Sequence, residues 1–210
     1  MEFDFIRFIT ILGAVIISIT IHEFAHAASA VAAGDDTPRR QNRLNINPFD
    51  HFDIVGFSMI VMTSLIGFGI GWGKPVQVNP YNFKNPRWDD VKVSFWGPLS
   101  NILLAITCAL LLRFAGPFFM ELNLGFFLYA MVLVNLGLAL FNLIPLPPLD
   151  GSHIMMGLLP NHQARAYAQF ARNYGMAVLI LILLFPMGSP VVRMIIGPPR
   201  ELIAGLLLGM

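Results

Sequence analysis

Residues 8–34 read FITILGAVIISITIHEFAHAASAVAAG, a stretch in which Glu23 is the sole Asp, Glu, Lys or Arg. It exceeds the roughly 20 apolar residues that carry a helix across about 30 Å of hydrocarbon. Four further stretches, 54–73, 93–112, 122–149 and 173–192, hold no charged side chain and reach that length too. A chain built from such runs belongs in a bilayer, and the one charge that interrupts the first of them asks for an explanation.

Composition agrees. Of 210 residues, 56% are hydrophobic and 12% charged, about half the charged share of a soluble domain, and mean hydropathy is +0.69. The net charge of +1 comes with no basic stripe, so a nucleic-acid partner is excluded. The lone Cys108 permits neither an intrachain disulfide nor a cysteine metal site, and any metal must be held by nitrogen and oxygen. Ala28-Ser29-Ala30 resembles a signal-peptide cleavage site, but Glu2 and Asp4 outweigh Arg7 in the leading segment, so the first run is expected to stay in the protein.

Outward from the first run, a helix is predicted over about 3–33, stopped by Gly34, with a polar loop to Asp53. A second helix covers about 54–70. Residues 72–88 hold Pro75, Asn79-Pro80 and Asn85-Pro86, with Val76 and Val78 alternating about Gln77, and read as an extended or hairpin-like segment. A third helix spans about 89–114, closed by Gly116-Pro117, and a fourth about 124–143. Pro145, Pro147 and Pro148 then break the backbone at membrane depth, where protein or a polar cavity must satisfy it. A short helix over 152–159, a polar segment over 160–172, a span over about 174–185 and a weaker one over 190–208 complete the chain. The expectation is an all-α polytopic membrane protein, a single domain over 1–210, with a bundle of about five to six transmembrane helices.

His22-Glu23-Phe24-Ala25-His26 places two imidazoles at i and i+4, about 40° apart around a helix, so both can reach one ion. Glu23 is placed to act on water at that ion. A charge at the bilayer centre is unfavourable by roughly 2.5–3.5 kcal/mol on insertion scales, and a metal compensates it; otherwise the histidines bond across the bundle and Glu23 stays protonated. Zinc with two histidines, a third protein ligand and an open position is a hydrolytic centre. Asp150, the sole acidic residue between Glu121 and Glu201, follows the broken helix and is taken as the third ligand. His153 competes as a ligand or as a group orienting Asp150, and His51 is a more remote candidate.

His22 to His26, the stretch Gly97-Pro98-Leu99-Ser100-Asn101, and Asn142-Leu143-Ile144-Pro145-Leu146-Pro147-Pro148-Leu149-Asp150-Gly151 together resemble the site-2 proteases, zinc metalloproteases that cut within membranes. The resemblance spans residues 22–151. It implies that His22, His26 and Asp150 are the zinc ligands, Glu23 the general base, and Asn142 a residue that contacts the substrate or steadies the active site, the candidate for polarising the scissile carbonyl, with a helix–helix hydrogen bond as its alternative role. It implies a transmembrane protein as substrate, a lipid bilayer as surroundings and, for localisation, the plasma membrane of a prokaryote. Many relatives carry an added peptide-binding or nucleotide-binding domain, for which this chain has no room.

The function expected is endopeptidase cleavage in or next to transmembrane segments, with the Trp72–Val78 segment pairing with an unwound substrate strand. A membrane metal transporter using the same His/Asp cluster is the alternative, separated by Glu23, which hydrolysis requires. A di-iron oxygenase needs more than the 5 histidines present.

Overall fold

The computed structural model describes residues 4–65, 73–184 and 190–209. Helix α1 spans Phe5–Ala33. The Asp4 side chain caps its start, accepting from the Arg7 N–H at 3.0 Å, and Gly34 ends it in the left-handed conformation, φ 111°, with the Asp35 N–H returning to Ala30 O at 3.0 Å. Short helices α2 (Thr37–Arg40) and α3 (Pro48–His51) punctuate the following loop, and α4 covers Ile54–Leu65. The expected continuation of that helix to residue 70, and Trp72, lie outside the described residues.

Residues 73–79 run without helix to a 3-10 turn at Pro80–Asn82. Among the described residues no strand forms; a single antiparallel bridge joins Phe52 and Gly73. The hairpin expectation reduces to one extended strap. Helix α5 is Pro86–Glu121 and α6 is Gly125–Asn142. The predicted stop at Gly116-Pro117 is corrected to a kink: Ala115 leaves helical geometry (φ −128°, ψ 22°) and the helix resumes. Pro117 then sits in the first turn of the resumed segment, where its missing N–H is no loss.

After the break at 143–149 come α7 (Asp150–Leu158), α8 (Asn161–Phe170), a π-helical turn over Ala171–Gly175, α9 (Met176–Leu184) and α10 (Pro190–Leu208). The polar segment after Pro160 is thus helical, since Ala164, Ala166 and Ala168 with Gln and Arg are strong helix formers.

Among the described residues, α1, α5 and α6 are long and apolar enough to cross a membrane. They pack on one another, α10 lies against α6 and α5, and α7 lies against α5. Small side chains, Ala14, Ala105, Ala109, Ala130 and Ala204, line the shared core with Val132 and Leu136, letting the backbones approach closely where lipid supplies no hydrophobic drive between helices. Large apolar side chains such as Phe114, Ile6 and Leu206 face outward, the pattern of a lipid-facing surface.

Candidate metal centre and its supporting residues

His22 and His26 project from one face of α1, buried, with ring centroids 4.6 Å apart and planes at 86°. Their Nε2 atoms lie 3.0 Å apart. Asp150, in the first turn of α7, brings Oδ2 to 3.2 Å from His22 Nε2 and Oδ1 to 3.2 Å from His26 Nε2. Among the described residues these three form the cluster able to hold a metal ion.

The second nitrogens decide what the cluster can bind. His26 Nδ1 donates to Val93 O at 2.8 Å, a carbonyl that can only accept. His22 Nδ1 donates to Asn101 Oδ1 at 2.7 Å, because the other end of that amide, Nδ2, donates to Ser18 O at 3.1 Å and Asn135 Oδ1 at 2.8 Å. Each neutral ring therefore turns the lone pair of Nε2 toward the cluster. Asp150 Oδ2 is buried and receives no hydrogen bond. With both rings neutral, three electron-pair donors converge on one point. Ligand bonds of about 2.0–2.1 Å at a tetrahedral angle put donors about 3.3 Å apart, close to the 3.0 and 3.2 Å observed, so the residues fit a tetrahedral cation with one position open.

Each candidate ligand is placed by the fold. Gly97 of α5 faces the two rings, and a Cβ there would stand 2.3 Å from His26 Nε2 and 2.7 Å from His22 Cε1; glycine is what lets α5 close over the site. The Pro-rich break lets α7 start at Asp150, where the helix N-terminus favours a carboxylate. Arg87 of α5 fastens the other end of α7, Nε to Gly157 O at 2.8 Å, Nη1 to Asn161 Oδ1 at 2.7 Å and Nη2 to Leu159 O. Tyr167 of α8 donates to Pro145 O at 2.9 Å and supports the break from the other side.

Glu23 is half-buried, and its Oε2 accepts from the Val76 N–H at 3.0 Å. The strap carrying Val76 is tied down along one edge. Lys74 N donates to His51 O at 2.8 Å, and buried Arg43 donates through Nη2 to Lys74 O. Bonds at 74 and 76 on one side are the alternation of an extended chain, which leaves Pro75 O, Gln77 N and Gln77 O on the opposite edge. At the strap's end, fully buried Asp35 accepts from Asn79 N at 2.7 Å, Asn82 Nδ2 at 2.7 Å, Thr37 Oγ1 at 2.5 Å and Thr37 N at 3.1 Å. Burial pushes the Asp35 carboxyl up, and these bonds outweigh it, holding it below its ordinary value.

The other candidates fall elsewhere. His51 is fully buried, its Nε2 bonded to Asn45 O at 2.7 Å, and it serves the strap through its carbonyl. His153 turns its Nδ1 to Asp90 Oδ2 at 3.1 Å, a bond that raises its pKa against the effect of burial. Asn142 donates through Nδ2 to Leu138 O at 3.0 Å, one turn back in α6, which leaves its second N–H. Sequence reasoning missed Asn135, Arg43 and the Val76–Glu23 bond. Asn101 and Asn135 carried a signal, a carboxamide inside an apolar run that must find a partner; Arg43 in a polar loop carried none.

A family model and three known proteins are similar to this chain. A model of peptidase family M50 matches residues 116–186. YwhC of Bacillus subtilis, provisionally described as a zinc metalloprotease, is 39% identical over 197 residues, 91% of this chain and 87% of that one. Rip2 of Mycolicibacterium smegmatis, described in the same provisional terms, is 26% identical over 85% of this chain and 68% of its own length. A zinc metalloprotease of Methanocaldococcus jannaschii is 30% identical over 49% of this chain and 30% of its own. No solved structure matches.

Proposed function

Because the chain belongs to peptidase family M50, the site-2 proteases, we propose that it is a zinc-dependent endopeptidase that hydrolyses peptide bonds in or next to transmembrane segments of other membrane proteins. The observation that carries this reading is the cluster of His22 Nε2, His26 Nε2 and the Asp150 carboxylate beside Glu23, on the apolar helix α1. The relatives are bacterial and archaeal, and the setting we assign is a prokaryotic plasma membrane, with residues 1–210 acting as one protease domain spanning it about five to six times.

Zinc held by His22, His26 and Asp150 supplies Lewis acidity and acidifies water. The chain's own residues do the rest. Glu23 takes a proton from the attacking water and delivers it to the departing amine, so water and a peptide bond become a carboxylic acid and an amine with no acyl-enzyme. Val76 N holds Oε2 of that carboxylate, which leaves Oε1 to carry the proton. The second N–H of Asn142 is assigned to the carbonyl oxygen as charge develops, a role worth on the order of 2.7–4 kcal/mol where such donors are removed. A helical substrate must unwind before its carbonyls are reachable, and the edge at Pro75 and Gln77, without a main-chain partner among the described residues, is suited to receive the unwound strand.

The test is zinc content and cleavage of a transmembrane peptide by the purified protein in detergent or bilayer discs. Glu23→Gln is expected to keep zinc and lose cleavage, and Asp150→Ala to lose zinc. Zinc flux that survives Glu23→Gln, with no cleavage by the parent protein, supports a transporter instead and overturns the reading.

A further inference from the structure

The two histidines are backed unequally. His26 rests on a main-chain carbonyl, Val93 O, whereas His22 rests on a side chain that is itself held by another. We propose that Asn101 and Asn135 form a carboxamide relay that positions His22 as a metal ligand, with Asn135 acting from α6 without touching the cluster. The inference rests on the zinc reading above.

The relay runs head to tail. His22 Nδ1–H donates to Asn101 Oδ1 at 2.7 Å, Asn101 Nδ2 to Asn135 Oδ1 at 2.8 Å, and Asn135 Nδ2 to Met131 O at 2.8 Å. Both asparagines are fully buried. Each asparagine accepts at its oxygen and donates from its NH2, Asn101 also to Ser18 O, so polarisation runs the same way at every step, and the acceptor facing His22 is strengthened by the bonds behind it. Electron density moves toward the ring, which makes Nε2 a better ligand.

Orientation is settled by the same bonds. If the Asn101 amide turned over, its NH2 would face His22 Nδ1–H and its oxygen would face Ser18 O and Asn135 Oδ1. Three favourable contacts would become three repulsive ones. Asn135 cannot turn over either, because its NH2 is held by Met131 O. The chain thus transmits the direction of one carbonyl in α6, through α5, to the tautomer of a ring in α1. A polar pair this deep in an apolar bundle is unfavourable unless satisfied, and here every bond made serves the ring that needs a fixed proton.

The experiment measures zinc affinity of the full chain in detergent by competition with a chromogenic chelator, and the visible spectrum of the cobalt-substituted protein. Asn101→Ala is expected to weaken zinc binding by roughly 10- to 100-fold, the range found when a ligand's hydrogen-bond partner is removed. Asn135→Leu keeps the branched shape and heavy-atom number of the side chain and removes the acceptor, and is expected to weaken binding by on the order of 10-fold and shift the cobalt bands. The double variant is expected to be no weaker than Asn101→Ala alone, because the two residues act as one unit. Leu136→Ala, a neighbouring buried position on α6, reports a packing defect and is expected to leave affinity unchanged. If Asn135→Leu does not fold, Asn135→Ser, whose hydroxyl is too short to reach Asn101, takes its place with the same expectation. Wild-type affinity and spectrum in the Asn135 variant, or losses in the double variant equal to the product of the single ones, overturn the relay. Zinc lost in His22→Ala but untouched in the Asn135 variant refutes the relay alone, while a parent protein that takes up no stoichiometric zinc refutes the zinc reading with it.

Discussion

The Val76 N–H donates to Glu23 Oε2 at 3.0 Å, so the main chain of the strap between α4 and α5 orients the carboxylate that follows His22 in the chain. A hydrogen bond to a charged group contributes roughly 1.5–3 kcal/mol, which corresponds to about 10- to 150-fold in rate. Val76→Pro removes that donor and is expected to lower cleavage within this range while zinc content stays at the parent level. Val76→Ala keeps the N–H and is expected to cleave normally. Equal activity in both variants would show that the bond does not matter to catalysis.

The strap also separates two roles by residue parity. Val76 N is spent on Glu23, so the free donor on the outer edge belongs to Gln77. Gln77→Pro is expected to raise KM with little change in kcat, since it removes the main-chain donor offered to a substrate strand. Gln77→Ala, which loses the side-chain bond from Gln41 Nε2 at 3.1 Å but keeps the N–H, is expected to match the parent. Steady-state kinetics on one transmembrane peptide decide it, and an unchanged KM in the proline variant sinks the pairing idea.

Gly97 leaves no space for a methyl group. Its Cβ would stand 2.3 Å from His26 Nε2, so in Gly97→Ala either α5 retreats or the rings turn away. Overpacking of this kind is typically unfavourable by about 1–3 kcal/mol, and here the displaced atoms belong to the cluster able to hold a metal ion. The variant is expected to lose zinc before it loses its helical circular dichroism. Full zinc occupancy in Gly97→Ala would mean the rings tolerate the displacement.

Asp35 predicts a pH dependence of known sign. Its folded pKa lies below the ordinary value, so its stabilising contribution is complete above the unfolded carboxylate value, about 3.9, and is lost as pH falls through the folded value. Asp35→Asn cannot accept the same four bonds and is expected to be less stable than the parent near neutral pH. The gap in Tm between the two is expected to narrow as pH is lowered through the carboxylate range. Hydrogen exchange at the Asn79 amide, which donates to Asp35 at 2.7 Å, reports the same loss at the strap itself. A constant gap from pH 7 to 3 contradicts the assignment.

How much was legible in the sequence follows from which interactions are local. Length and the absence of charge determine that α1, α5 and α6 can cross a bilayer, because 1.5 Å per residue and an apolar surface are properties of each segment alone. The i, i+4 spacing put His22 and His26 on one face for the same reason. Prolines marked where α6 must end and, at Gly116-Pro117, suggested an end where the structure has only a kink, since a proline at the start of a resumed turn carries no penalty. The Asp150 assignment needed elimination among acidic residues, and the structure brings it to both rings.

What lay beyond reach depends on side chains meeting across tens of residues. Nothing local says that Asn101 faces His22 rather than lipid, that Asn135 faces Asn101, or that Val76 rather than Gln77 turns its N–H to Glu23. Those outcomes follow from the packing of α1, α5 and α6 and from the anchoring of the strap at Arg43, His51 and Asp35. The amino-acid order by itself determined which segments are long and apolar enough to cross a membrane and which residues can ligate an ion. Only the tertiary structure decided which proton each histidine keeps and which peptide group orients the carboxylate, because a hydrogen bond exists only where two groups are brought within about 3 Å in the right direction.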